Sequence, residues 1–294
     1  MKNYRLGLYE KSMPKSLDWG DKLRIAKSAG YDYVEISIDE TDEKLKRLDM
    51  TASELDSLNK KIKGAGTGIA SMCLSGHRKY PLGSSDPQIR GRGLEIMEKA
   101  VDFAARLNIR IIQLAGYDAY YEPSTPETVK WFSQNLLRAV DMAAKEGVVL
   151  GFETMETPFM DTVEKAMKYV SAVNSPWLQV YPDCGNLTNA SKLYGVSVTD
   201  DLEKGRGHIA ALHLKETLPG VYREVPFGEG HVDFDGAISK ALTLGVRMFV
   251  TELWYTGNGD WKDVISATGM EMGNRLAKAD AEYMRIRKDA DVKH

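Results

Sequence analysis

Val148-Val149-Leu150-Gly151-Phe152-Glu153 decides the fold. Val148, Leu150 and Phe152 share one face of a strand, so Glu153 falls on the other. In a closed barrel the first face meets surrounding helices and the second points at the axis. Seven other short apolar runs behave alike: Tyr4–Tyr9, Tyr33–Ile38, Gly68–Leu74, Arg110–Ala115, Leu178–Asp183, Ile209–Leu214 and Met248–Leu253. Amphipathic helical stretches separate them. Eight strands alternating with eight helices predict a parallel sheet closed into a (β/α)8 TIM barrel of the α/β class.

The helix boundaries support this division. Thr51-Ala52-Ser53-Glu54 fits a capping box. Asp86-Pro87 supplies an N-cap followed by a proline whose missing N–H costs nothing at the first helical position. Ser124-Thr125-Pro126-Glu127 does the same for the next helix. Ile89, Met97, Val101, Ala104 and Leu107 form a core-facing stripe at helical spacing. Gly30, Gly147 and Gly245 each end a helix just before a strand. Thr251 is the one polar residue expected on an outward strand face. The polar end, Arg285 to His294, is expected to fray.

The chain has 294 residues, and barrels of roughly 250 residues fold as one unit. No linker or low-complexity segment divides it, so residues 1–294 are read as a single domain. The formal charge of −3 and the interspersed Lys and Arg point away from nucleic acid as a partner. No apolar run approaches the ~20 residues needed to span a bilayer, and Met1 to Ser16 lack the apolar core of a signal peptide. A cytoplasmic protein is expected. Cys73 and Cys184 make no CxxC pair and are expected to be reduced, buried thiols.

The same inside-outside count applied to the next strands gives a constellation. Leu178, Val180 and Pro182 outward leave Asp183 inward. Ala210, Leu212 and Leu214 outward leave His213 inward, and Phe249, Thr251 and Leu253 outward leave Glu252 inward. Four successive strands thus end on Glu153, Asp183, His213 and Glu252 at the C-terminal mouth, where barrels of this kind carry their chemistry. Three buried carboxylates repel one another, and one divalent cation relieves that. Oxygen ligands with one imidazole suit Mn²⁺, Mg²⁺, Co²⁺ or Zn²⁺ without choosing among them.

Longer motifs add a resemblance. They are Leu6-Gly7-Leu8-Tyr9-Glu10-Lys11, Asp39-Glu40-Thr41-Asp42-Glu43, Ser71-Met72-Cys73-Leu74-Ser75-Gly76-His77-Arg78, Ile112-Gln113-Leu114-Ala115-Gly116-Tyr117-Asp118, Tyr181-Pro182-Asp183-Cys184-Gly185-Asn186-Leu187 and Val225-Pro226-Phe227-Gly228-Glu229-Gly230. Over nearly its whole length the chain resembles the xylose-isomerase-like barrel superfamily. Within it, the chain is most similar to the L-ribulose-5-phosphate 3-epimerase family (also called L-xylulose-5-phosphate 3-epimerases) of L-ascorbate degradation. Epimerases of unphosphorylated ketoses carry a second Glu six residues after the first ligand and a His three after the Asp. Here those positions hold Phe159 and Asn186, which favours a phosphorylated sugar.

The resemblance implies a metal-dependent inversion at C3 of a pentulose 5-phosphate, with Glu153 and Glu252 as paired acid and base and Asp183 and His213 as ligands only. Lys215 follows strand seven on the inward side, where barrels often hold phosphate. His77, Arg78, Glu156, Asn186 and Lys215 are the expected substrate contacts, with Glu156 alternatively supporting a ligand. Lys79 reads as a solvated charge, His208 as structural, and His231 and His294 as exposed. Tyr117, Tyr120 and Tyr121 either line the mouth or pack. Rival readings are an aldose–ketose or hydroxypyruvate-type isomerase, an epimerase of an unphosphorylated ketose, a DNA-repair endonuclease and a non-catalytic barrel. The endonuclease needs a histidine-rich site and a basic face, which five histidines and an acidic balance do not offer. A non-catalytic barrel is expected to have lost ligands. A homodimer is expected only as the commonest oligomer.

Overall fold

The computed structural model describes residues 2–257 and 259–291. Its strands are β1 (Arg5–Tyr9), β2 (Tyr33–Ile38), β3 (Gly68–Leu74), β4 (Ile111–Ala115), β5 (Val149–Glu153), β6 (Leu178–Val180), β7 (Leu212–Leu214) and β8 (Met248–Thr251). The helices are α1 (Trp19–Ser28), α2 (Asp42–Leu45), α3 (Ala52–Ala65), α4 (Pro87–Arg106), α5 (Pro126–Glu146), α6 (Val163–Val173), α7 (Cys184–Tyr194), α8 (Val198–Lys204), α9 (Phe234–Thr243) and α10 (Trp261–Asp291). The strand order is β6-β5-β4-β3-β2-β1-β8-β7, with every ladder parallel. Between β6 and β7 the barrel closes through single bridges, Val180 to Ile209 and Asp183 to His213. The His213 amide donates to the Pro182 carbonyl there at 2.9 Å.

The alternation read from the sequence sorts the core into two layers. Val148, Leu150, Phe152, Leu178, Val180, Leu212, Leu214, Phe249 and Leu253 pack outward against helices. Tyr9, Tyr33, Cys73, Ile111, Tyr181, Ala211 and Val250 fill the barrel interior. Thr251 does face outward, and its hydroxyl donates to Tyr31 at 3.1 Å. Ala210 corrects the count. It packs against the interior cluster beside Ala211, because isolated bridges rather than a ladder hold this stretch and do not enforce the pleat.

β6 and β7 are shorter than expected. Pro182 has no N–H to extend a ladder, and Asp183 becomes the N-cap of α7, accepting from the Asn186 amide at 2.7 Å. Gly185 allows α7 to start this close to β7: a Cβ there would stand 2.6 Å from the Lys215 carbonyl oxygen. The expected caps at Thr51, Asp86 and Thr125 are present. Gly30, Gly147 and Gly245 all have positive φ. Met97, Val101, Ala104 and Leu107 are buried as expected. Where fraying was expected from Arg285, helix α10 continues to Asp291; His294 lies outside the described residues.

Just after β1, Glu10 is buried and receives Lys22 at 2.7 Å, Lys44 at 2.6 Å and Arg47 at 2.6 Å. Its other partner is the Ser37 amide. This cluster ties α1, α2 and β2 to the turn that carries Lys11 to the barrel mouth. Among the described residues no helix is long and apolar enough to cross a membrane.

Candidate active site

Glu153 ends β5, Asp183 caps α7, His213 is the middle residue of β7 and Glu252 follows β8. One ligand atom from each lies within 4.8 Å of all the others, and all four residues are buried. His213 Nδ1 is 3.0 Å from Glu252 Oε2 and 3.8 Å from Asp183 Oδ2. Its Nε2 is 2.6 Å from Glu35 Oε1. Burial disfavours the charged imidazole, but Glu35 and Glu252 outweigh it and hold the pKa well above the ordinary value. Burial and then the Glu252 charge push Glu153 up to about 8. Burial, with Glu252, pushes Asp183 up to about 6 against the pull of Lys215. The set is therefore short of positive charge.

A divalent cation fits these residues. Asp183 Oδ2 is buried without a directed hydrogen bond, and its nearby partner, Lys215 Nζ at 3.1 Å, is an ion pair only. Three carboxylates and one imidazole nitrogen are a hard-to-borderline donor set. With Nε2–H donated to Glu35, a cation replacing the Nδ1 proton would meet the Nδ1 lone pair inside the cluster, the usual carboxylate–histidine–metal arrangement.

Glu35 was not anticipated. It lies in the middle of β2, wholly buried, and its Oε2 accepts from Ser71 at 2.7 Å and from Tyr181 at 2.8 Å. Val34, Ile36 and Ile38 pack in the outer layer, so the alternation that found Glu153 also points Glu35 inward. The cavity above the ligands is lined by Tyr9, Lys11, Arg78, Glu156, Arg223 and Trp254 among others. Tyr9 and Trp254 meet edge to face at 5.8 Å. Lys11 pairs with Asp39 at 2.7 Å.

The expected substrate contacts divide. Asn186, Lys215, Arg78 and Glu156 all line this cavity. Asn186 donates to the Thr154 carbonyl and accepts from Lys215 Nζ at 2.8 Å. Lys215 therefore sits beside the carboxylates and not out on the rim. Glu156 accepts from Tyr117 at 2.8 Å, Tyr120 at 3.3 Å and Arg223 at 3.1 Å. Tyr117 and Tyr120 thus support the mouth, whereas Tyr121 is exposed and bonds Glu40.

His77 is a correction: its ring turns away from the cavity toward the Gly93 carbonyl of α4, 3.1 Å off. Burial there pushes its pKa down to about 4. The four residues Ser75–Arg78 form a 3-10 turn, which rotates each successive side chain by a third of a turn and so separates His77 from Arg78. Lys79 and His208 are exposed, but His231 is half-buried and 3.2 Å from the Thr217 hydroxyl. Phe159 packs edge to face on Phe132. Both cysteines are free and buried.

A family model described as "Xylose isomerase-like TIM barrel" matches residues 23–285. The chain belongs to this family. It is 44% identical over 280 residues to L-ribulose-5-phosphate 3-epimerase UlaE of Shigella boydii serotype 18, covering 95% of this chain and 97% of that protein. To the putative L-ribulose-5-phosphate 3-epimerase SgbU of Haemophilus influenzae it is 43% identical, covering 88% and 91%. Among solved structures, an L-ribulose 3-epimerase superposes with a TM-score of 0.78 at 15% identity, covering 96% and 98%; that likeness speaks to the fold.

Proposed function

We propose that this protein is a metal-dependent epimerase that inverts C3 of a pentulose 5-phosphate, interconverting L-ribulose 5-phosphate and L-xylulose 5-phosphate. The observation that carries the reading is the pair Glu153 and Glu252. They close the cavity floor from β5 and β8, with Asp183 and His213 between them. The names of the 44% and 43% identical relatives support the substrate.

Glu153, Asp183, His213 and Glu252 would hold the cation, one of Mn²⁺, Mg²⁺, Co²⁺ or Zn²⁺, which supplies Lewis-acid polarisation of the ketose oxygens. One glutamate removes the C3 proton, and the electron pair moves into the C2 carbonyl. The other glutamate delivers a proton to the opposite face of C3, restoring the ketone with inverted configuration. Each such transfer contributes roughly 10²–10⁴-fold. Lys215 and Asn186, hydrogen-bonded to each other, bind the carbonyl end of the sugar, and Arg78 faces its phosphate. Tyr9 and Trp254 supply the apolar wall that keeps water from the exposed carbanion.

Turnover in D₂O tests the proposal. The epimer formed carries close to one deuterium at C3, and Glu153→Gln or Glu252→Gln with metal retained loses inversion. Label at C1 or C2 with C3 untouched would mean an aldose–ketose isomerase instead.

A further inference from the structure

Gln113, the middle residue of β4, is wholly buried. Ile112 and Leu114 on either side of it pack in the outer layer, so the alternation turns Gln113 toward the barrel axis. Neither its Oε1 nor its Nε2 has a hydrogen-bond partner. Among the described residues it is the one side chain with two such buried atoms. An unpaired amide in an apolar interior costs free energy at both ends. Buried polar groups are paired with protein or with ordered water, so water is the partner this amide requires.

One of the two glutamates stands beside it. Gln113 pairs with Gly151 of β5, and Ala115 pairs with Glu153. Glu153 is therefore the next inward residue of the neighbouring strand, diagonal to Gln113. Diagonal neighbours on paired strands stand about 7–8 Å apart, a gap that two long side chains close through one water. On its other side Gln113 pairs with Cys73. Cys73 and Glu153 both line the inner cavity of about 30 Å³, which has room for roughly two or three waters. The four residues of the cluster are not equally held. Glu252 meets His213 Nδ1 at 3.0 Å, His213 Nε2 meets Glu35 at 2.6 Å, and Asp183 accepts from the Asn186 amide at 2.7 Å. The Glu153 carboxylate receives no hydrogen bond from the described residues; what acts on it is burial and the charges of Glu252, His213, Lys215 and Asp183. A carboxylate that must present itself to both a metal and C3 needs its rotation fixed by a further partner.

We propose that Gln113 is a positioning residue for Glu153, its carboxamide bound through one buried water to the Glu153 carboxylate and setting the turn of that carboxylate between metal and substrate. This rests on the reading of Glu153 as a ligand and as a base at C3. The amide N–H donates to the water oxygen, and the water donates in turn to Glu153. Gln113 lines no part of the cavity, so its loss leaves sugar binding in place and slows proton transfer.

Two variants of the metal-loaded enzyme separate positioning from packing. Gln113→Met keeps the length and volume of glutamine but carries no amide. Gln113→Asn keeps the amide but leaves a methylene-sized gap. A packing role ranks Met above Asn in turnover, and a positioning role ranks Asn above Met. Gln113→Met should melt no lower than wild type, since it removes an unpaired amide. It should lower kcat for the pentulose 5-phosphate about tenfold or more and leave KM within about twofold. Gln113→Asn should melt lower and keep more of kcat. The visible absorption of the Co²⁺-loaded protein gives a readout independent of turnover: its bands shift in Gln113→Met and return toward wild type in Gln113→Asn. Wild-type kcat or an unchanged Co²⁺ spectrum in Gln113→Met, or a larger kcat loss in Gln113→Asn, would overturn the positioning role even where wild type inverts C3. A shifted spectrum in Gln113→Met, with a wild type that inverts C3 of no pentulose phosphate, would sustain the hold on Glu153 and overturn the proposed function.

Discussion

Replacing Glu35 by Gln tests how the barrel interior governs the proposed metal ligands. The Glu35 carboxylate accepts from His213 Nε2 at 2.6 Å, Ser71 at 2.7 Å and Tyr181 at 2.8 Å. Glutamine keeps the shape, and the Ser71 and Tyr181 hydroxyls can turn to accept from its amide. What is lost is the charge. A hydrogen bond to a charged group contributes about 1.5–3 kcal/mol and a neutral one about 0.5–1.5, so the His213 contact weakens by roughly 1–1.5 kcal/mol. That amounts to about tenfold in metal affinity, at the lower edge of the 10–100-fold usual for residues behind a ligand. Glu35→Ala is the wrong variant, since it strands three buried donors at about 1–3 kcal/mol each. Mn²⁺ or Co²⁺ affinity by competition with a chelator gives the answer, with thermal melting in chelator as the control for folding. Affinity within twofold of wild type in a folded Glu35→Gln protein would mean that Glu35 merely fills the interior.

Two further outcomes follow from the packing. Burial opposes the Glu10 charge, but Arg47, Lys44 and Lys22 hold its carboxyl well below the usual range. Its stabilising contribution is therefore complete above the unfolded value of about 4.3 and fades as pH falls toward the folded one. Glu10→Gln should cost about 3 kcal/mol near neutrality, and urea unfolding at pH 7 and pH 3 should show the gap narrowing in acid; a constant gap would refute the ionic origin. Gly151→Ala places a Cβ 2.8 Å from the Tyr181 Cβ, and Tyr181 holds Glu35. It should lower stability by about 1–3 kcal/mol and weaken metal binding too; intact metal affinity would show that Tyr181 yields without disturbing Glu35.

The four-residue cluster was legible because a strand is the one element whose side-chain direction follows from counting. Val148, Leu150 and Phe152 face the helices, so Glu153 must face the axis. Glu35 obeys the same count from Val34 and Ile36 but lies mid-strand, one layer below the mouth, where a search of strand ends does not reach. Counting fails where the ladder does. Ala210 belongs to a stretch held by single bridges, and His77 lies in a 3-10 turn that changes direction at every residue.

Arg223 lies beyond any count. It is 67 residues from Glu156, in a loop with no periodicity, and only the closed barrel brings the two together. The division follows the chemistry. The proposed proton transfer at C3 needs groups fixed to a fraction of an ångström, and a sheet holds its side chains in a repeating geometry. Loops carry no such periodicity, so Arg223 became visible only as an ion pair spanning two loops at the mouth.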